Sequence, residues 1–252
     1  MSEHIVLSPY SFVGFEICNK LMEEGMEVVG VDLPSSADSD PMEKEEKELY
    51  LGRNSNFTIK NFDQIITEIK NEYTFYISDV NINDKEWLEY VEKIPKRNAD
   101  TLVYVVMDNE WIKASHIPNQ INTTIILPTV YGPWPPLNTV FCKCLSQAGF
   151  PFEQYEIEEK RDAIYISDAI AAIFDITRME HGIYQVQSDI KDHWKLLLKE
   201  LGYQIIVDDL KERNHRNCGT DIKEYVAVTK ISPQVGIGLV KKHINVREIM
   251  RF

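Results

Sequence analysis

The sequence predicts an α/β protein, a doubly wound parallel sheet with a small C-terminal α+β lobe. Three observations carry that expectation. Short β-branched runs recur along the first half of the 252-residue chain, stretches with apolar residues at helical spacing separate them, and the first trio closes into a strand, helix and strand unit. With 44% hydrophobic residues the chain can bury a substantial core, and one α/β domain plus a small lobe is a natural partition.

In chain order, His4 to Ser8 reads as the first strand. Phe12 to Gly25 reads as a helix carrying Val13, Ile17 and Leu21 on one face, with Gly25 as its stop, and Glu27 to Leu33 reads as the second strand. Such a unit points a helix N-terminus at a dinucleotide's pyrophosphate, and Asp32 stands where it can accept hydrogen bonds from a ribose. No arginine follows Asp32 closely, which favours NAD over NADP. The stretch Asp38 to Glu48, interrupted by Lys44 and Lys47, reads as a solvated loop and short helix. Phe57 to Ile65 carries a third strand and its turn, Thr74 to Ile77 a fourth strand, and Thr101 to Val106 a fifth. Further on, Ala169 to Thr177 reads as a helix with Asp168 as its N-cap, followed by a helix-like His193 to Leu201 and strand-like Gln204 to Val207 and Tyr225 to Val228.

Three stretches, His4 to Asp32, Ile125 to Pro133 (IILPTVYGP) and Arg161 to Asp168 (RDAIYISD), resemble the extended short-chain dehydrogenase/reductase group, in its nucleotide-sugar epimerase and dehydratase branch. The resemblance implies a Rossmann-like dinucleotide-binding domain over 1–133 with 163–180, and a smaller substrate lobe over 134–162 with 181–252. It implies NAD held by Ser8, Ser11, Phe12, Val13, Gly14 and Asp32, and a nucleoside-diphosphate sugar met by Tyr131 and Arg161. For Arg161 an ion pair with the acids of 153–159 is the alternative role, and for Tyr131 it is packing at the strand end.

The departures from the group are as informative as the matches. Its phosphate loop has glycines spaced G-x-x-G-x-x-G, and here the seven residues are Ser8, Pro9, Tyr10, Ser11, Phe12, Val13 and Gly14. Gly14 keeps the position needed for close helix packing, while Pro9 removes a backbone donor. Ser11 suits an N-cap, and from the same place a hydroxyl also points at an anion. Thr58 stands at the group's adenine-side aspartate, and Ser78 and Asp79 replace two alanines that face the cofactor. Val106, Met107 and Asp108 offer no catalytic hydroxyl, and none of the twelve tyrosines has a lysine four residues later. The Tyr-x-x-x-Lys pair, in which the ammonium lowers the phenol's pKa for proton transfer, is missing. Only Asn109 to Asn122 separates the fifth and sixth strands, too short a span for the group's full catalytic helix, which also builds its dimer interface. Asp108, Glu110, Lys113, His116 and Lys160 recreate no known acid/base spacing, and His116 reads as an exposed loop histidine.

A net charge of -13 disfavours nucleic acid and anionic membranes as partners. No apolar run approaches the ~20 residues of a membrane span, and no signal peptide opens the sequence, so a cytoplasmic location is expected. Cys18, Cys142, Cys144 and Cys218 lack paired metal spacing and read as reduced, buried thiols, with no metal site. Three functions follow. The favoured one is an epimerase/dehydratase-like pseudoenzyme that has lost Tyr/Lys catalysis, with NAD binding weak or lost, and that keeps binding of a nucleotide, a nucleotide sugar or a protein partner. The alternatives are an active NAD-dependent epimerase, dehydratase or reductase using atypical residues, and a structural or assembly protein.

Overall fold

The computed structural model describes residues 3–33, 41–68, 73–78, 85–94, 99–107, 118–135, 139–146, 162–203 and 221–250. Eight strands form one sheet: β1 (Glu3–Leu7), β2 (Val28–Val31), β3 (Phe57–Ile59), β4 (Tyr73–Ser78), β5 (Ala99–Met107), β6 (Thr123–Leu127), β9 (Gly182–Ser188) and β10 (Ile222–Ala227). Their order is β10-β9-β6-β5-β4-β1-β2-β3, and every pairing is parallel. The two remaining strands, β7 (Thr129–Tyr131) and β8 (Ala163–Tyr165), form a separate parallel ribbon.

Helix α1 (Phe12–Glu23) connects β1 to β2, and α2 (Pro41–Gly52) connects β2 to β3. Then come α3 (Phe62–Glu68), α4 (Lys85–Lys93), α5 (Val140–Ser146), α6 (Ile166–Ile176), α7 (His193–Glu200) and α8 (Pro233–Met250). The β-branched, two-sided apolar strands are what a sheet covered on both faces requires. On one face Val13, Ile17 and Leu21 of α1 pack with Ile170 and Ile173 of α6. On the other, Phe75 and Ile77 of β4 pack with Trp87 and Val91 of α4. Each side chain buried this fully contributes roughly 2 kcal/mol. Strand order reverses between β1 and β4, so their carboxyl ends, at Ser8 and Ser78, open onto the crevice where doubly wound sheets bind ligands.

Three features go beyond the sequence reading. Strands β9 and β10 lie within 181–252, the span expected for the smaller lobe, and β9 pairs with β6 and β10 with β9, so the main sheet continues past residue 180. The driving force is burial, since Tyr184, Val186 and Ala227 join the core beside α6. Asp168 is not an N-cap: α6 begins at Ile166 after Tyr165, and the Asp168 carboxylate accepts from the backbone N–H of Lys230 and Ile231. That bond ties α6 to the segment leading into α8. Third, the acidic stretch before residue 48 is not simply solvated, because Glu43 and Lys47 of α2 are buried.

Candidate functional site

The loop from β1 to α1 forms the floor of the crevice. Ser8 has φ 62°, the left-handed conformation that explains why glycine is favoured at this place, and its N–H donates to the Val31 carbonyl. Ser11 caps α1: its oxygen accepts from Gly14 N–H at 3.2 Å while its own proton goes to the Ser8 carbonyl at 2.8 Å. The hydroxyl therefore has no proton left for a phosphate. Gly14 is required by packing, as a Cβ there would stand 2.7 Å from Ser11 Oγ and 3.1 Å from Ser78 Oγ. Phe12 and Val13, also expected to bind cofactor, are buried in the first turn of α1 and join the core. The hydroxyls of Ser8 and Ser78 are buried and make no hydrogen bond.

Asp32, the expected ribose acceptor, is already engaged. Its Oδ2 lies 2.6 Å from Lys44 Nζ, with both side chains about one third exposed. The same ammonium stands 5.8 Å from the centre of the Tyr10 ring. Burial, with help from Glu48 and Asp32, pushes the Tyr10 phenol up to about 12, so it stays protonated at neutral pH. One helical turn further along α2, Lys47 donates to the Tyr10 carbonyl at 3.0 Å and to Glu43 Oε1 at 2.8 Å. Its ammonium lies 5.5 Å from the Phe15 ring centre and 5.6 Å from that of Trp134. With only 1% of its side chain exposed, Lys47 is almost fully desolvated, and this ring of partners is what makes a buried charge tolerable there.

Tyr131 ends β7 and is fully buried. Its hydroxyl meets His193 Nε2 at 3.1 Å, and His193 Nδ1 meets Ser188 Oγ at 2.8 Å. Ser188 also accepts from Ile190 N–H and lies 3.4 Å from Thr229 Oγ1. One assignment gives every proton an acceptor: Tyr131 donates to Nε2, Nδ1–H donates to Ser188, and Ser188 donates to Thr229. Burial lowers His193 to about 4 and raises the Tyr131 phenol, with Asp168 and Tyr165 adding to the latter. Neither group is poised to exchange a proton near neutral pH. Above them, a Cβ at Gly236 of α8 would stand 2.7 Å from the Tyr131 ring and 2.9 Å from that of Tyr165, so α8 lies directly on this pair. Tyr131 is packed at the strand end with 0% of its surface exposed.

The structure brings Ser8, Ser11, Phe12, Val13 and Gly14 together with Asp32 at one end of the sheet, and Thr58 lies exposed on β3. Arg161, Asp79, Asp108, Glu110, Lys113, His116, Lys160 and Cys218, and the crossover after Met107, lie outside the described residues. Cys18, Cys142 and Cys144 are buried. No group of His, Cys, Asp and Glu side chains fit for a metal occurs among the described residues, and no helix there is long and apolar enough to cross a membrane. Sequence reasoning missed Tyr10, Lys44, Lys47 and His193. For Lys47 the one available signal was its i,i+4 spacing from Glu43, which does not distinguish a buried pair from a solvated one.

No protein-family model matches the chain. The uncharacterized protein YjaV of Bacillus subtilis (strain 168) is 27% identical over 137 residues, which are 53% of this chain and 65% of that protein, so the match spans a little under two thirds of the relative. Among solved structures, the UDP-glucuronic acid 4-epimerase of Bacillus cereus in complex with UDP-glucuronic acid and NAD is similar with a TM-score of 0.63 and 13% identity, over 97% of this chain and 99% of that one. The dTDP-glucose 4,6-dehydratase of Bacillus anthracis in complex with NAD gives 0.62 and 11%, over 99% and 98%. The UDP-glucose 4-epimerase of Thermotoga maritima with UDP-glucose gives 0.58 and 14%, over 98% and 99%. The chain has the fold of the NAD-dependent nucleotide-sugar epimerases and dehydratases of the extended short-chain dehydrogenase/reductase group.

Proposed function

We propose that this protein is a catalytically silent relative of those epimerases and dehydratases, one that works by binding a nucleotide or nucleotide sugar and not by turning it over. The observation that carries the reading is the absence, along the whole sequence, of any tyrosine with a lysine four residues on. A phenol needs a neighbouring cation to lose its proton near neutral pH, and Tyr131, expected to meet the sugar nucleotide, has a buried neutral histidine beside it. The adenosine end of an NAD site also fits poorly: Asp32 is paired with Lys44, Pro9 has no N–H, and Ser11 has spent its proton. The orphaned hydroxyls of Ser8 and Ser78 support a remaining polar demand at the start of α1, of the kind a phosphate satisfies. Were NAD to bind, it would supply a hydride acceptor at the sugar carbon, and Ser8, Gly14 and Asp32 would line its site.

Arg161 is proposed as the diphosphate ligand, since a guanidinium offers two parallel donors. The test is calorimetric titration with NAD, UDP-glucuronic acid and dTDP-glucose, alongside an assay for sugar oxidation or epimerisation. Expected are weak or undetectable NAD binding, no turnover, and binding of a sugar nucleotide that Arg161→Ala weakens about tenfold. Turnover of any sugar nucleotide would sink the reading.

A further inference from the structure

From one face of α2, Lys44 and Lys47 both reach back to the cofactor crevice, but under different conditions. Lys47 is sealed in, held by Glu43 and the Tyr10 carbonyl between the Phe15 and Trp134 rings. Lys44 is a third exposed and grips a carboxylate that is also a third exposed. We infer that α2 is a two-part clamp on this crevice: Lys47 is a fixed pin that sets the β1–α1 loop, and Lys44 is a latch on Asp32 that a ribose-bearing ligand must displace. The inference deepens the proposed function, since it names what weakens NAD binding at the Asp32 end of the crevice, and it rests on that reading's placement of the site.

The physical argument is one of competition. Asp32 Oδ2 lies 2.6 Å from Lys44 Nζ, and a ribose diol that takes this oxygen must offer it neutral hydroxyl donors in place of an ammonium. An exposed ion pair is worth little in water and is screened by salt, so the latch releases without unfolding anything. The buried pin does not share this sensitivity, because only 1% of the Lys47 side chain is exposed. Opening therefore means that the Lys44 side chain swings away from Asp32 while α2 keeps its place.

Adenosine is the right probe, as it carries the diol but no charge, and salt then acts only on the protein's own pair. NMR titration of wild type, Lys44→Ala and the double variant Lys44→Ala/Asp32→Asn would be run at about 0.05 M and about 0.5 M salt. The expected result is about threefold tighter adenosine binding by Lys44→Ala than by wild type. Added salt strengthens binding to wild type and leaves Lys44→Ala unchanged, while the double variant loses the gain. Equal affinity of wild type and Lys44→Ala, or no binding by Lys44→Ala up to the solubility of adenosine, overturns the latch. Thermal unfolding of Lys44→Ala confirms that the variant is folded. Sugar-nucleotide turnover by wild type would overturn the proposed function while leaving this comparison of affinities intact.

Discussion

At Ser8 the backbone φ of 62° costs an L side chain roughly 1–2 kcal/mol, and the hydroxyl it carries is buried without a partner. Ser8→Gly removes both penalties at the expense of some unfolded-state entropy. The variant is expected to be about 1 kcal/mol more stable, read as a rise of about 2–4 °C in melting temperature. A fall in melting temperature would mean that the hydroxyl contributes a bond to the folded state. His193 gives a pH-dependent prediction of definite sign. Its folded value of about 4 lies below the unfolded 6.5, so between those limits the unfolded chain binds the extra proton. The stability tied to neutral His193 is complete above pH 6.5 and is lost as pH falls towards 4, amounting to about 2 kcal/mol at pH 5. Urea unfolding of wild type and His193→Gln at neutral pH and near pH 5 should show the gap between them narrowing on acidification. A constant gap would mean that His193 is charged in the fold.

At the scale of elements, α2 is the helix whose role the sequence concealed. Lys47→Met leaves the Glu43 carboxylate buried without its cation and should cost about 3–5 kcal/mol in urea unfolding. Lys47→Met with Glu43→Gln removes both charges and should recover most of that loss, falling short by about 1 kcal/mol because the Tyr10 carbonyl stays without its donor. A double variant no better than the single would show that the pair is not the source of the cost. The strands and α1 were legible because their signals are local: β-branched runs, apolar spacing, Ser11 before the first turn and Gly25, at φ 76°, after the last. The inward turn of Glu43 and Lys47 was not legible, since an i,i+4 ion pair reads alike in water and in a core. Asp168 misled for a related reason. An acid in the first turn resembles a cap, and only the tertiary path of 230–231 reveals its real partners. For the candidate site, the loop and Asp32 were legible as neighbours at the carboxyl end of the sheet, whereas the hold of Lys44 on the carboxylate was not.

Across the whole molecule, the assignment of β9 and β10 to the main sheet makes the chain less divisible than its motifs suggest. Trp194, Leu197 and Val240 share one core with α1 and α6. A fragment covering 1–180 would expose that surface and is expected not to fold, giving poorly dispersed NMR spectra and no cooperative melting transition. A cooperatively melting fragment would restore a boundary at residue 180. The outer side of α4 shows Glu89, Glu92 and Lys93 to solvent, a charged face. The all-parallel ladder also governs how the chain must be made. Thr123 on β6 sits opposite Gly182 on β9, so a nascent chain leaving the ribosome holds β6, paired with β5 alone, as an open edge until dozens of later residues have emerged. During that interval β6 presents one row of bare amides, and Ile125 lacks its later partners, so synthesis at high concentration is when this protein is most exposed to aggregation.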